Sequence, residues 1–183
     1  KYALNSFRAY IPGFKGTKGT VDKAFAKKMA ALKKKHVVIG IAGRFVEEKG
    51  YDVLLQAIPY IKNTVPKAHI VFAGKHQIDY EPYFERHRKL IEKNNKDITF
   101  LGLLSAGDLA YFYEHLDVFA ISSRSDCFPV TQIEAVHHGV PLVVTDIPGA
   151  RMLVKASGFG AIAQPENPKD LARAMVEVIT NRK

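Results

Sequence analysis

A chain of 183 residues in which 47% of side chains are hydrophobic can bury one good core and is too short for two full-sized domains. Its single cysteine excludes an internal disulfide and agrees with a reducing, cytoplasmic setting. No apolar run approaches the length of a membrane span and no signal-peptide pattern opens the chain, so a soluble domain is expected. The net charge of +9 has a location: residues 1–36 carry ten Lys or Arg against Asp22 alone, and the remainder balances at 17 of each sign.

Residues 1–20 contain Pro12, Gly13, Gly16 and Gly19 without a sustained period, which predicts a linker or arm, with one domain over 21–183. That domain should open with a basic helix over 21–35, capped by Thr20 and docked through Phe25, Met29 and Leu32. Its other face is nearly all lysine. Two readings fit that face, a surface for anionic lipid or polyanions and a merely solvated one.

His36 to Ala42 reads as a buried strand that delivers Gly43 and Arg44 to its carboxyl end. Gly43 gives the turn backbone freedom, Arg44 and Lys49 are two cations five residues apart, and Gly50 precedes a helix through Tyr51, Leu54, Leu55, Ile58 and Ile61. This is a phosphate site in outline, since Arg suits paired phosphate oxygens and Lys a point charge. The competing reading pairs both cations with Glu47 and Glu48 at the surface.

Ala68 to Gly74 is the next strand, and Gly74 would let a ligand come close. A helix is expected from about 81 to 94, with Tyr83, Phe84, His87, Leu90 and Ile91 as core. A short strand follows over 97–102, and Ser105 to Asp108 resembles a capping box that opens a helix covering the sheet with Leu109, Phe112, Tyr113 and Leu116.

The most informative stretch runs from Ser122 to Asp146 between apolar runs at Val118–Ile121 and Pro141–Val144. A polar loop, a bend at Phe128-Pro129, a short helix from Val130 and a stop at Gly139 predict strand, loop, helix, strand. In a parallel sheet such a loop and helix start face the crevice at the carboxyl edge. There the amides from about Val130 to Ile133 suit an anion, and the carboxylates of Asp126 and Glu134 suit hydroxyls such as those of a ribose. Beyond it, 147–151 reads as a turn in which Arg151 meets either phosphate or solvent. Gly158 to Gly160 is another turn, 161–163 an edge strand, and Asn167-Pro168 the start of a closing helix with Leu171, Ala174, Met175, Val178 and Ile179 inside.

Other chemistries find less support. The seven histidines offer no third ligand beside any suitable pair, so no metal site is expected. Cys127 lacks a positioned base and reads as a small filler. Neither Gly-x-Ser-x-Gly nor Gly-x-Gly-x-x-Gly occurs, which weighs against a serine hydrolase and an NAD dehydrogenase.

Three motifs in order, Gly43-Arg-Phe-Val-Glu-Glu-Lys-Gly50, Asp126 with Glu134 after seven residues, and Gly139-Val-Pro-Leu-Val-Val-Thr-Asp146, together resemble the nucleotide-sugar half of GT-B glycosyltransferases, in particular glycosyltransferase family 4. The resemblance runs from about Val37 to Ile179. It implies an α/β fold with a doubly wound, Rossmann-like parallel sheet, and transfer of a sugar from a nucleoside-diphosphate sugar to an acceptor hydroxyl with retention. On this resemblance Arg44 and Lys49 stabilise the leaving diphosphate without metal or cofactor, and Asp126, where the family usually has Glu, holds the donor sugar. Glu134 takes the ribose, amides near Val130 and Thr131 the phosphates, and the backbone of Leu101, Gly102 and Leu103 the base, with Gly43, Gly74 and Phe128 also at the donor. Pro129 removes one amide donor from the loop. Tyr10 to Phe14 falls where family members cross between domains, and the acceptor-binding half is expected to lie outside this chain, which alone should bind and not turn over. The alternatives from other classes are a non-catalytic nucleotide-binding or scaffold domain and a basic nucleic-acid-binding module, although no nucleic acid is expected; among enzymes, a sugar-nucleotide epimerase is the nearest competitor.

Overall fold

Strands without an alternating polar face must be covered on both sides, and the computed structural model, which describes residues 19–181, covers them with two layers of helices. The expected arm, including Tyr10 to Phe14, lies almost wholly outside the described residues. Six strands, β1 (Val37–Ala42), β2 (Ala68–Ala73), β3 (Ile98–Gly102), β4 (Val118–Ile121), β5 (Leu142–Thr145) and β6 (Gly160–Ala163), form one parallel sheet in the order β3-β2-β1-β4-β5-β6. The chain winds outward from β1 to β3 and then returns to the other flank of β1. That reversal between β1 and β4 opens a crevice at the carboxyl ends of the strands, the usual ligand site of a doubly wound fold.

Alternate strand residues sort into two cores. Ile39, Ile41, Ile70, Phe72, Val118 and Val143 pack against α2 (Tyr51–Thr64), α3 (Tyr83–Arg86), α4 (Arg88–Lys93) and α8 (Pro168–Thr180). Val38, Val71, Phe119, Ile121, Leu142 and Val144 pack against α1 (Lys23–Lys35), α5 (Ala106–Glu114), α6 (Val130–His137) and α7 (Pro148–Ser157). Gly40 stands within β1 where Leu116 fills its side-chain position: an added Cβ would lie 2.2 Å from the Leu116 Cδ1. Tyr83 and Ile91 are buried, with Phe84 and Leu90 packed against the same core, as the sequence predicts for that region.

Three expectations need correction. The cap of α1 is Asp22, whose carboxylate accepts from the Phe25 N–H at 2.8 Å, and not Thr20. Thr20 lies two residues ahead of that cap, with its carbonyl packed against Gly107 at the start of α5, close enough that a Cβ there would sit 2.2 Å from it. Asp108 strengthens the same junction: it accepts the Asp22 N–H at 2.9 Å, while Ser105 caps α5 by accepting the Asp108 N–H at 3.2 Å. The single helix expected over 81–94 is two, broken at His87, whose ring meets the edge of the Tyr83 ring at 4.4 Å. Tyr83 is fixed in the core by Asp52, so the first turn is anchored separately from the second. Finally, 147–151 is no turn but the start of α7, with Pro148 in the first turn and Ala150, Leu153 and Val154 buried at helical spacing.

Candidate functional site

At the reversal point, β1 ends at Ala42 and the chain turns through Gly43, at φ 143°, into a loop that closes with a 3-10 turn, Glu47–Lys49, and Gly50 in the left-handed region at φ 61°. Across the crevice, β4 releases the chain into residues 122–129 and then α6. Between these loops lies a cavity of about 350 Å³ lined by Gly43, Arg44 and Lys49 on one side and Asp126, Phe128, Val130 and Thr131 on the other. Two cations from the front of the sheet and one carboxylate, Asp126, from its later half therefore converge on one pocket; Glu134, the second carboxylate of the motif reading, does not line it.

Lys49 Nζ donates to Asp126 Oδ2 at 2.6 Å, and both side chains are sheltered, at 24% and 11% exposure. Arg44 is looser, at 58% exposure, with Glu48 at 3.7 Å and the Tyr80 hydroxyl as its partners. Glu48 also lies 3.7 Å from Lys49. The surface pairing with Glu48 is thus real but long and exposed, the kind of contact that contributes little, whereas the Lys49–Asp126 pair is short and screened from water. Neither Lys49 nor Arg44 is locked away from an incoming anion. The N–H groups of Val130 and Thr131 head α6, where first-turn amides have no intrahelical acceptor, and Val130 is 57% exposed at the rim.

The pocket owes its shape to contacts between the two loops. All three carbonyls of the 3-10 turn are taken by the segment after β4: Glu47 O by Arg124 Nη1 at 2.8 Å, Glu48 O by the Arg124 N–H at 2.7 Å, and Lys49 O by Ser122 Oγ at 2.9 Å. Gly50 is required beside them, since a Cβ would fall 2.1 Å from Ser122 O. Arg124 continues past the turn to grip Asp52, Nη1 to Oδ1 and Nη2 to Oδ2 at 2.9 Å each, and reaches Glu166 at 2.7 Å. Burial alone would raise the Asp52 carboxyl, but hydrogen bonds from Arg124 and Tyr83 outweigh it and hold the group below the ordinary carboxylate range.

The remaining candidates share the edge without lining the cavity. Glu134, one turn into α6, accepts from the Tyr113 hydroxyl at 2.8 Å. Burial, then the neighbouring Glu134 charge, push that phenol well above its usual range, so it stays a donor. Gly74 abuts Gly43, where a Cβ would meet Gly43 O at 2.1 Å, and its N–H reaches Gly102 O at 2.8 Å. The carboxyl ends of β1, β2 and β3 thereby form one continuous ledge, on which Leu103 is 79% exposed. Leu101 packs inward beside the core.

The family profile described as "Glycosyl transferases group 1" matches residues 22–183. The chain belongs to that family. Among relatives it is 28% identical over 145 residues to mannosylfructose-phosphate synthase of Agrobacterium fabrum, covering 76% of this chain and 32% of the relative. It is also 28% identical over 148 residues to the GDP-mannose-dependent alpha-(1-6)-phosphatidylinositol monomannoside mannosyltransferase of Mycobacterium tuberculosis, covering 76% and 37%. The chain therefore spans about a third of the length of the curated relatives it matches. Among solved structures, HepE of Anabaena in complex with UDP superposes with a TM-score of 0.73 at 18% identity over 89% of this chain and 45% of that one, which establishes a shared Rossmann-like fold, one half of the GT-B architecture.

In this group 1 domain two sequence readings change. Cys127 does not fill space, because its side chain is exposed. Its backbone is what packs: a Cβ on Gly149 would lie 2.1 Å from Asp126 O and 2.2 Å from Cys127 O, so that glycine lets α7 support the acidic loop from behind. Arg151 pairs with Asp146 at 3.1 Å and does not line the cavity. Sequence reasoning missed Tyr80, Tyr113, Asp52 and Arg124. Tyr113 carried a signal only for the core, and the Asp52–Arg124 pair joins residues 72 apart, a separation that no local pattern encodes.

Proposed function

We propose that this chain is the donor-binding domain of a retaining glycosyltransferase that moves a sugar from a nucleoside-diphosphate sugar to an acceptor hydroxyl supplied on a second domain. The observation that carries the reading is the meeting of Arg44, Lys49 and Asp126 in one cavity at the reversal point of the sheet, with Lys49 and Asp126 at 2.6 Å. As the anomeric C–O bond breaks, negative charge grows on the diphosphate, and fixed cations beside it lower the barrier without a proton transfer. Lys49 supplies that charge from a sheltered position, and Arg44, being freer, closes on the phosphate oxygens once the donor is bound. The amides of Val130 and Thr131 add dipoles of the same sign. Asp126 orients sugar hydroxyls, and Glu134, held by Tyr113, accepts from the ribose. Gly74, Gly102 and Leu103 offer a ledge for the base. HepE, which shares this fold, has been solved with UDP-glucose, and the mycobacterial relative is named for GDP-mannose, so the test spans bases.

Calorimetric titration with UDP, GDP and ADP sugars tests the assignment. Binding of one of them in the micromolar to low millimolar range, weakened by Glu134→Ala and by Arg44→Ala/Lys49→Ala, supports it. Equal binding by those variants, or no binding of any nucleotide at millimolar concentration, removes it.

A membrane-side location in the cytoplasm is part of the same proposal, favoured by α1. Lys23, Lys27, Lys28, Lys34 and Lys35 are exposed and form no ion pair among the described residues, while residues 1–18 contain no Asp or Glu to neutralise them. Such an uncompensated stripe suits anionic headgroups. Sedimentation with vesicles containing anionic lipid, lost at high salt and on changing these lysines to glutamine, is the expected result; equal recovery in the supernatant with and without vesicles refutes it.

A further inference from the structure

Arg124 does not line the cavity, yet its contacts join the two loops that do. We propose that Arg124 is a positioning residue for the diphosphate site: it fixes Lys49 against Asp126 by clamping the 3-10 turn onto the loop after β4. The inference rests on the donor-site reading given above and adds a residue to it.

The geometry is that of a strap. A one-turn helix satisfies few of its own carbonyls, in this turn only Glu47 O through the Gly50 N–H at 3.0 Å, so further partners must come from outside. Here the partners come from the far side of the crevice, and Arg124 supplies two of them, with its backbone N–H on Glu48 O and its Nη1 on Glu47 O. The same guanidinium is then held by the paired contacts to Asp52 in the first turn of α2 and by Glu166 in the β6–α8 connection. Asp52 is itself 7% exposed and braced by Tyr83, which donates its hydroxyl to one carboxylate oxygen and accepts the Asp52 N–H at 3.1 Å. A planar, five-donor side chain meets this demand in a way that lysine cannot. Lys49 is the last residue of the clamped turn and Asp126 lies two residues beyond Arg124, so the backbone leading to both ends of the 2.6 Å pair is anchored at one residue, whose side chain holds Glu47 O while its amide holds Glu48 O.

Removing Arg124 alone would leave the Asp52 carboxylate buried and uncompensated, and the domain could lose its fold for that reason. The informative variant is the neutral pair Asp52→Asn/Arg124→Gln, with Arg124→Lys as a second variant that keeps the charge and loses the two-pronged grip. Two measurements are made. Amide hydrogen exchange without nucleotide should quicken at least tenfold over residues 47–50 in both variants, with β1 and β2 unchanged. Calorimetry with UDP and UMP, GDP and GMP, and ADP and AMP should show the diphosphate weakened at least tenfold and the matching monophosphate by less than threefold. Unchanged exchange over 47–50 overturns the inference without touching the donor-site reading, and so does parallel weakening of mono- and diphosphate, which marks a general structural role. Failure of the unmodified chain to bind any nucleotide overturns both.

Discussion

At the scale of single residues, the site works by contrast between sheltered and exposed charge. Lys49, 24% exposed against 58% for Arg44, attracts phosphate through less water than Arg44 does, although the Asp126 carboxylate at 2.6 Å offsets part of its charge. Lys49→Ala should therefore cost more diphosphate affinity than Arg44→Ala, at least tenfold or about 1.4 kcal/mol, which calorimetry reads directly. Equal losses would show that exposure does not rank the two. Tyr113→Phe removes the donor that orients Glu134 while keeping the ring in the core. We expect a stability loss of about 1 kcal/mol in urea titrations, because a half-buried carboxylate can turn partly to water, together with weaker nucleoside binding.

At the scale of elements, glycine and histidine make the testable statements. Gly149→Ala forces a methyl group into the carbonyls of Asp126 and Cys127, neither of which can yield as a side-chain end would. The substitution should destabilise the domain by roughly 1–3 kcal/mol and lower the urea midpoint, even though alanine is otherwise the better helix former. His69 in β2 faces the His36 ring at 4.7 Å, Thr99 Oγ1 at 2.9 Å and the Lys62–Asp97 pair. Burial, then the charge of His36, lower its pKa to about 4. Because the folded value lies below the unfolded one, near 6.5, the unfolded chain takes up the proton first. The stabilisation is complete above about pH 6.5 and is lost as pH falls toward 4, by on the order of 3 kcal/mol at most. His138, packed against Tyr113 with Glu114, His137 and Glu134 around it, is lowered in the same sense by burial. Urea midpoints should drop between pH 7 and pH 5, and less so in His69→Gln; an equal drop would assign the slope elsewhere.

What could be read in advance divides along the same line. Strand positions followed from runs such as Val37–Ala42, because a strand buried on both faces has no polar alternation to hide it. The caps at Ser105 and Asn167 were legible because a cap is a local bond, made three residues on. The cavity residues Arg44, Lys49 and Asp126 were found through motifs, each a few residues long. Thr20 and the turn at 147–151 were misread for the opposite reason. Asp22 takes the cap in place of Thr20 with its own N–H held by Asp108, far along the chain, and α7 was obscured by Pro148 and Gly149, which look like a turn until Asp126 and Cys127 are known to need the space. Arg124 lay in plain view within the central stretch, but its partners Asp52 and Glu166 are spatial neighbours alone.

For the molecule as a whole, the order of the sheet has a mechanical consequence. β1 and β2 are in register over six residue pairs, from Val37↔Ala68 to Ala42↔Ala73, whereas β1 and β4 share only Ile39↔Val118 and Gly40↔Phe119, reinforced by Asp117, which accepts the Val38 N–H at 2.8 Å. The strand pairing is thus narrowest between β1 and β4, where α2 and α8 pack together across the junction, and the cavity straddles it. A donor seated there would act as a staple across that short pairing: bound nucleotide should slow amide exchange in β1 and β4 more than in the outer strands β3 and β6.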